Sequence, residues 1–312
     1  MNLIIQIPCY NEEDTIEKTL NDLPRSIPGI DSIEILIIDD GCQDRTVEIA
    51  RQWGVNHFVH FNQNKGLARA FEAGLEKALE LGADIIVNTD ADNQYKGSDI
   101  ARLVQPILAK KAEIVIGDRQ IDKIEDFSWL KKKLEKFGSY VVRKVSQTNI
   151  PDVTSGFRAY SREAALHINI ISTFSYTLET IIEAGQKDIP IISVPIETNK
   201  TERPSRLFKS NWYYIRRSFA TIVRIYTMYQ PLRVFFYTGI TSFGIGLILS
   251  IRYLIFMIVG QGKGHIQSVI IAAVFLIIGF FLLMIGLLAD VIAANRKLQE
   301  ETLYRIKKDS LK

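Results

Sequence analysis

Residues 266–289 form a run of 24 amino acids without a charged side chain, and this run constrains the fold more than any other feature of the chain. Residues 234–250 are also uncharged, and this second run extends to Val259 if Arg252 is included. A helix needs roughly 20 apolar residues to cross the ~30 Å core of a bilayer, whereas a buried helix of a soluble protein seldom stays apolar on every face. Two membrane spans are therefore predicted, with Arg252 and Asp290 reaching the headgroups.

Basic residues flank both spans and set the predicted orientation. Residues 200–233 carry eight Lys and Arg against one acidic residue, and residues 295–312 carry six against three. Cytoplasmic flanks hold the excess of Lys and Arg in membrane proteins, so both termini are predicted to be cytoplasmic. No basic leader precedes the first apolar run, so we expect no signal peptide and a large cytosolic domain.

The first two hundred residues alternate short β-branched runs with longer helical patterns, which is typical of a largely parallel α/β sheet. Strands are predicted at 3–7, 34–38, 57–61, 85–88 and 113–116, and helices at 14–23, 45–53, 67–81, 98–110 and 129–146. With 47% hydrophobic residues, the composition excludes a disordered chain. The predicted fold class is a doubly wound α/β domain followed by interfacial helices and two transmembrane helices.

Carboxylates follow three of the predicted strands at the point where each strand ends. Glu12 comes after the first strand, Asp39 and Asp40 after the second, and Asp90 and Asp92 after the fourth. Ligands of such sheets bind beyond the carboxyl ends of the strands. Clustered carboxylates repel a bare phosphate but suit a divalent cation that bridges them to it. An Asp-x-Asp pair that merely caps the next helix is the alternative, and its position after a central strand argues against that.

Other sites are not indicated by the sequence. It contains neither a Gly-x-Gly-x-x-Gly fingerprint nor a Walker loop. Its four histidines are scattered, without the paired spacing of a zinc site, and none is expected to be catalytic.

Five short motifs follow one another between residues 7 and 158. They are Ile7-Pro8-Cys9-Tyr10-Asn11-Glu12, Ile37-Ile38-Asp39-Asp40-Gly41, Asp90-Ala91-Asp92 with Gln94, Gly117-Asp118-Arg119, and Ser155-Gly156-Phe157-Arg158. Together they resemble glycosyltransferase family 2, and more narrowly its polyprenyl-phosphate glycosyltransferases. The resemblance covers about residues 1–233 by motif, and the two spans match one branch of the group. It implies a GT-A fold (a nucleotide-diphospho-sugar transferase) that moves a hexose from a nucleotide sugar to a lipid phosphate, with inversion at the anomeric carbon.

On the donor side, the resemblance implies a role for each matching residue. It assigns the nucleobase and ribose to Pro8, Tyr10, Glu12, Asp39 and Asp40, and the ribose or sugar to Asp90. It assigns Mg²⁺ or Mn²⁺ on the diphosphate to Asp92, with Asp90 and Gln94, where the ion stabilises the leaving group. Arg203 matches an arginine that folds over the donor phosphates, but the glycine that the family has beside it is missing.

The acceptor, a polyprenyl phosphate, is already an anion at neutral pH, so it needs orientation and a cationic clamp rather than a strong base. The resemblance assigns its phosphate to Arg119, Lys131, Ser155 and Arg158, with Asp152 nearby. Lysine at position 131 departs from the family's usual arginine and offers a point charge instead of a two-pronged grip; a solvated helix face is the alternative for it. Arg206 and Lys209 are assigned to phosphate as well, either on the donor or on lipid headgroups.

These features divide the chain into four predicted parts. Residues 1–200 form the cytosolic catalytic domain, 201–233 a basic loop and amphipathic interfacial helices, 234–294 two transmembrane helices, and 295–312 a basic cytosolic tail. The predicted partners are the membrane, a nucleotide sugar and a polyprenyl phosphate, because basic residues mixed with aromatic ones beside two spans fit an anionic leaflet better than nucleic acid. Gly239, Gly244 and Gly246 permit close helix packing, so a homo-oligomer through the spans stays open.

Two other functions stay open at this stage. A processive polysaccharide synthase of the same superfamily needs more helices around a pore, and the chain has no Gln-x-x-Arg-Trp signature. A non-catalytic membrane scaffold has no need for Asp90, Asp92 and Arg119. The leading prediction is therefore a divalent-metal-dependent, inverting hexosyltransferase; the sugar, the nucleobase (UDP or GDP) and the polyprenol length are left open by the motifs.

Overall fold

The computed structural model describes residues 1–120, 129–171, 176–199, 211–260, 264 and 266–311. The chain separates into two compact units, one of Met1–Val223 with Tyr304–Lys312 and the other of Arg224–Leu303. The boundaries between these two units do not coincide with those of the four parts expected from the sequence. The division into four parts stays a prediction.

The first unit is built around a seven-stranded sheet. Its strands are β1 (Asn2–Cys9), β2 (Ser32–Asp39), β3 (His57–His60), β4 (Ile85–Asn88), β5 (Ile114–Asp118), β6 (Arg158–Ser161) and β7 (Ile191–Pro195). They lie in the order β3-β2-β1-β4-β6-β5-β7. β1 pairs in parallel with β2 and β4, and β2 pairs in parallel with β3, so these four strands end on one edge of the sheet.

Helices surround this sheet. They are α1 (Ile16–Asp22), α2 (Thr46–Trp53), α3 (Leu67–Glu80), α4 (Ile100–Leu108, preceded by a 3₁₀ turn at Gly97–Asp99), α5 (Trp129–Ser146), α6 (Arg162–His167) and α7 (Tyr176–Gln186). β4 is buried along its whole length, as expected for a parallel strand covered on both faces. For each of the five strands and five helices expected from the sequence, the observed first and last residues lie within two residues of the predicted ones.

The sequence did not predict β6, which runs antiparallel to both of its neighbours, β4 and β5. Arg158, the last residue of the fifth motif, begins β6 and is fully buried. A four-residue strand that opens with an arginine lacks the apolar alternation that reveals longer strands. The antiparallel return of β6 brings residues 152–157 to the carboxyl end of β4.

The last turns of α10 (Ile266–Ser310) belong to the first unit and pack on α6. The ring of Tyr304 stacks on that of His167, with 4.0 Å between their centroids, and its hydroxyl hydrogen-bonds to Glu163. Nζ of Lys307 donates to Oδ1 of Asn169 at 3.2 Å. Most of the segment predicted as a basic cytosolic tail is thus helical, as the end of α10, and its cytosolic location stays a prediction.

The second unit contains the end of α8 (Asn211–Tyr229), α9 (Pro231–Ile258) and most of α10. α9 and α10 are both long and apolar enough to cross a membrane. A Cβ at Gly239 would lie 3.1 Å from the carbonyl oxygen of Gly279, and a Cβ at Gly246 would lie 2.9 Å from that of Ala272. These two glycines thus serve close packing within one chain, whereas Gly244 faces open space; the homo-oligomer stays a prediction.

Candidate functional site

The carboxyl ends of β2, β1 and β4 lie side by side and bring the predicted carboxylates to one edge of the sheet. The strand register pairs Cys9 with Asp39 and Gln6 with Asn88, so the loops after these strands are neighbours. The charges of Asp92 and Glu12 both act on Asp90. The sequence prediction that these loops converge is therefore confirmed in the arrangement of the strands.

Asp40 fastens the end of β2 to the loop that precedes α3. Its two carboxylate oxygens accept hydrogen bonds from the backbone N–H groups of Lys65 (2.7 Å) and Gly66 (2.9 Å). Burial raises the pKa of Asp40, and these two hydrogen bonds offset only part of the effect. The next residue, Gly41, has a φ of 79°, and a Cβ there would lie 2.7 Å from the carbonyl carbon of Gln63, so this turn requires glycine.

Asp39 is held by its own turn and by a histidine on the neighbouring strand. Its carboxylate accepts a hydrogen bond from the backbone N–H of Cys42 (2.7 Å) and lies 3.0 Å from Nδ1 of His60. Burial alone would raise the pKa of Asp39, but the hydrogen bonds from His60 and Cys42 outweigh it, so the pKa is lowered. Sequence reasoning missed His60; the signal that finds it is the β2–β3 register, which pairs Asp39 with His60.

Asp90 and Asp92 follow β4. Oδ1 of Asp92 accepts a hydrogen bond from the backbone N–H of Gln94 at 3.1 Å. Desolvation by the surrounding protein, followed by repulsion from Asp92, raises the pKa of Asp90 to about 7, against an opposing effect of Arg119. Both Oδ atoms of Asp90 lie 3.0 Å from the position that a Cβ at Gly156 would occupy. The Asp90 carboxylate therefore packs directly against the backbone of Gly156.

Buried hydrogen bonds hold the Gly156 backbone against β4 and the loop that follows it. The backbone N–H of Gly156 donates to the hydroxyl of Tyr95 (3.0 Å), and its carbonyl accepts from Nδ2 of Asn88 (2.8 Å). Oδ1 of Asn88 in turn accepts from Nε2 of Gln6 at 2.9 Å. The rings of Tyr95 and Phe157 stack with their centroids 4.9 Å apart. Both sides of Gly156 are thus tied to the strand and loop that carry Asp90.

Arg119 forms a two-pronged ion pair with Asp152. Nε and Nη2 donate to the two carboxylate oxygens at 2.7 and 2.9 Å, and Nη2 also donates to the Thr154 hydroxyl at 2.7 Å. Burial favours a raised pKa for Asp152, but the Arg119 charge and hydrogen bonds outweigh it and lower the pKa. The Oγ of Ser155, which is fully buried nearby, has no hydrogen-bond partner among the described residues. Arg119 is therefore oriented before any ligand binds.

Arg158 is fully buried, and its guanidinium is hydrogen-bonded to groups of the protein itself. Its guanidinium donates to the carbonyls of Val153 (2.9 Å), Ser155 (2.7 Å) and Thr177 (2.9 Å), and to the Thr180 hydroxyl (2.6 Å). A fully buried cation with these partners fastens residues 153–155 to α7. We therefore correct its predicted role as an acceptor-phosphate ligand to a structural one.

Some of the remaining predicted residues lie in the described parts of the chain, and the others lie outside them. Pro8 is buried in β1, Tyr10 is exposed, and Glu12 is half-buried with its backbone N–H bound to the Thr46 hydroxyl. Lys131 is the third residue of α5. Three residues assigned to phosphate lie outside the described residues: Arg203, Arg206 and Lys209.

The donor set at Asp90 and Asp92 fits a hard divalent cation. Carboxylate oxygens are the ligands that Mg²⁺ and Mn²⁺ prefer, and Mg²⁺ is commonly bound by one or two carboxylates together with substrate phosphates. The repulsion that raises the pKa of Asp90 would be relieved by such an ion. Within the described ranges, no group of three or more His, Cys, Asp or Glu side chains that could hold a metal ion is found.

Comparison with known proteins places the chain among sugar transferases. Residues 4–168 match the family described as glycosyl transferase family 2. A UDP-N-acetylglucosamine–dolichyl-phosphate N-acetylglucosaminyltransferase of Methanococcus voltae is 34% identical over 221 residues, which cover 63% of this chain and 85% of that protein. The glycosyltransferase AglJ of Haloferax volcanii is 27% identical over 312 residues, covering 97% of this chain and 96% of that one.

The fold also matches a solved structure. Glucosyl-3-phosphoglycerate synthase from Mycobacterium tuberculosis, in complex with Mn²⁺, UDP-glucose and phosphoglyceric acid, superposes with a TM-score of 0.58 at 18% identity, over 72% of this chain and 79% of that one. At this identity, the match bears on the fold alone, and it confirms the predicted GT-A architecture.

Proposed function

Since the chain belongs to glycosyltransferase family 2 and is a glycosyltransferase, we propose that it transfers a hexose from a nucleotide sugar to a polyprenyl phosphate, with a divalent metal ion, at the cytosolic face of a membrane. The observation that carries this proposal is the convergence of Asp39, Asp40, Asp90 and Asp92 at the ends of adjacent strands, with the Arg119–Asp152 pair beside them. The Methanococcus voltae relative, whose name specifies a UDP-sugar and dolichyl phosphate, supports the same donor and acceptor classes.

On the donor side, each carboxylate has a different proposed role, which follows from its hydrogen bonds and its pKa. The lowered pKa of Asp39 keeps it ionised at neutral pH as a hydrogen-bond acceptor for a nucleobase or ribose. Asp40 binds the Lys65–Gly66 backbone with both oxygens and therefore positions the loop around the nucleoside. Asp92, with Asp90, would hold Mg²⁺ or Mn²⁺, which when bound stabilises the negative charge of the departing nucleoside diphosphate.

On the acceptor side, the protein contributes orientation and positive charge. The phosphate of a polyprenyl phosphate is itself the nucleophile, so no side chain has to remove a proton from it. Arg119 is held at two atoms by Asp152, which leaves its position set before the acceptor arrives and reduces the entropy lost on binding. The buried Ser155 hydroxyl, which has no hydrogen-bond partner in the part of the chain that the structure describes, lies in the same segment as Asp152 and is the proposed second contact, with Lys131 as the third.

The membrane assignment rests on α9 and α10, whose length and apolar composition suffice to cross a bilayer. The excess of basic residues in 200–233 and 295–312 supports a cytosolic location for both termini. A cytosolic site has direct access to nucleotide sugars, while the acceptor phosphate sits at headgroup depth.

The test is transfer of label from a panel of radiolabelled UDP- and GDP-sugars to undecaprenyl and dolichyl phosphate, with Mg²⁺, Mn²⁺ or EDTA. We expect one labelled lipid that carries a single sugar and disappears with EDTA. Asp92→Asn should abolish transfer with little change in melting temperature, because this carboxylate lies in a loop and accepts a hydrogen bond from the backbone of the same turn. Glu80→Gln, an exposed carboxylate at the end of α3, is the matched control and should keep full activity.

Three results would overturn the proposal. A labelled product longer than one sugar would indicate a processive synthase. Absence of labelled lipid with every donor, from protein that melts cooperatively, would favour a non-catalytic scaffold. Unchanged turnover in Asp92→Asn would remove that residue from the mechanism.

A further inference from the structure

α5 turns two aromatic side chains toward solvent. Phe137 is 66% exposed and Tyr140 is 51% exposed, although both residue types gain free energy from burial. Single exposed apolar residues are ordinary, whereas adjacent aromatic side chains on one helix face are a feature of contact surfaces.

Lysines share that helix face. At 3.6 residues per turn, positions 133, 136, 137, 140 and 144 fall within about one third of the helix circumference. They are Lys133, Lys136, Phe137, Tyr140 and Lys144, and all five are exposed. We call them the α5 basic-aromatic face; it contains no acidic residue. The other side of the helix holds the buried residues Ser139, Val142 and Ser146 and packs against α7, so this face is directed away from the core of the unit.

The composition of the face matches the headgroup layer of an anionic membrane. Aromatic rings such as those of Phe137 and Tyr140 favour the boundary between headgroups and acyl chains, and lysines beside them are attracted to acidic lipids. The chain that carries this face also carries α9 and α10. If α9 and α10 anchor the chain in the bilayer, the α5 basic-aromatic face is held at a high effective concentration near the lipids. Even a weak attraction between the face and the headgroups is then sufficient for contact.

A second copy of this chain is a poorer occupant. Pairing two such faces about a twofold axis would bring the three lysines of each copy together, and like charges at close range repel each other. Anionic lipids match both kinds of side chain on this face, because their phosphates attract lysines and their acyl boundary receives aromatic rings.

We propose that the α5 basic-aromatic face rests in the headgroup layer of an anionic leaflet. The phenylalanine and tyrosine rings enter the boundary with the acyl chains, and the three lysines bind lipid phosphates. Lys131 belongs to the same helix, so the contact holds that helix at the depth of an acceptor phosphate; this consequence, unlike the contact itself, rests on the proposed function.

The contact is tested with nitroxide labels on the full-length protein in vesicles of phosphatidylcholine, with or without phosphatidylglycerol. Labels are attached at Phe137→Cys and, separately, at Tyr140→Cys in a Cys42→Ser background, since Cys9 is buried and Cys42 is partly exposed. The control label is at Gln52→Cys, an exposed position on α2, which connects β2 and β3 at the opposite end of the sheet.

With phosphatidylglycerol present, we expect the labels at 137 and 140 to become more accessible to molecular oxygen and less accessible to a water-soluble nickel chelate. The label at 52 should not change. Equal nickel accessibility at all three positions would overturn the proposal, and so would spin–spin broadening at 137 or 140, which would reveal a second copy on this face. These readouts do not require transferase activity, so the proposal can fail or succeed separately from the proposed function.

A kinetic experiment tests the consequence for the acceptor. The variant Lys133→Gln/Lys136→Gln/Lys144→Gln should raise the KM for polyprenyl phosphate in phosphatidylglycerol vesicles by about tenfold, with no change for a short-chain, water-soluble acceptor. Lys18→Gln/Lys110→Gln/Lys111→Gln removes the same charge from exposed positions elsewhere in the unit and should leave both values unchanged. An equal rise in KM for both acceptors would contradict a role through the membrane.

Discussion

Gly156→Ala tests whether the close approach of the backbone to Asp90 sets the position of that carboxylate. The added methyl would lie 3.0 Å from each Oδ of Asp90 and 3.1 Å from the Tyr176 hydroxyl. Ordinary contacts of a Cβ begin at about 3.4 Å, so Asp90 must withdraw by a few tenths of an ångström. Gly156 does not have a positive φ, so alanine strains these side-chain contacts and leaves the backbone conformation accessible.

The expected effect on activity is larger than the effect on stability. A shift of about 1 Å in a site can cost about 100-fold in rate, so a shift of roughly 0.4 Å should lower kcat by about tenfold. Overpacking of this kind costs about 1–3 kcal/mol, and the lower end applies here because the Asp90 carboxylate can yield toward the ligand side. The methyl also removes water from Asp90, which should raise its pKa further above about 7.

The assay combines kcat with thermal unfolding and Mn²⁺ titration. Gly138→Ala is the matched control, because a Cβ there meets nothing within 4 Å and alanine favours the helix by about 0.5–1 kcal/mol. It should therefore keep full activity and melt slightly higher. Wild-type kcat and Mn²⁺ affinity in Gly156→Ala would refute the reasoning that this clearance positions Asp90.

Three further predictions concern other parts of the first unit. Asp152→Asn leaves the Arg119 cation buried without its carboxylate and should cost about 3–5 kcal/mol of unfolding free energy at neutral pH. Because the pKa of Asp152 is lowered in the folded protein, its contribution is present above the ordinary pKa of about 3.9 and is lost as the pH falls below it; denaturant titrations of wild type and variant should converge at acid pH, and a constant difference would contradict the ion-pair account. Mn²⁺ affinity should weaken as the pH falls below about 7, because protonation of Asp90 competes with the ion; calorimetric titrations at pH 6 and pH 8 that gave equal affinities would exclude Asp90 as a ligand. Tyr304→Ala removes the ring stacked on His167 and should lower the stability of the unit by about 1–2 kcal/mol, whereas an unchanged melting curve would show that the end of α10 contributes nothing to it.

Much of the site could be predicted because its residues follow strands whose patterns are local. The apolar runs of β1, β2 and β4 are visible without knowledge of their partners, and parallel strands necessarily end at one edge. Asp39, Asp40, Asp90 and Asp92 could therefore be assigned to a common site. Their individual states could not, since the pKa of Asp39 depends on His60 and that of Asp90 on desolvation and Asp92.

Residues that act through distant partners escaped sequence reasoning. Arg158 reads as a cation available to phosphate, yet its donors are taken by carbonyls and a hydroxyl from two segments. His60 reads as an isolated histidine, yet strand pairing sets it against Asp39. In both cases the deciding contact lies far along the chain or on another strand, where no local pattern records it.

The sequence by itself determined the alternation of strands and helices, the two long apolar helices and the carboxylates at the strand ends, because periodicity and the length of an uncharged run are local properties of the chain. Only the tertiary structure decided that β6 returns antiparallel between β4 and β5, that Arg119 is clamped by Asp152, and that Gly156 rests against Asp90. Burial and hydrogen bonding between segments set these contacts, and their free energies depend on which surfaces meet once the chain has folded.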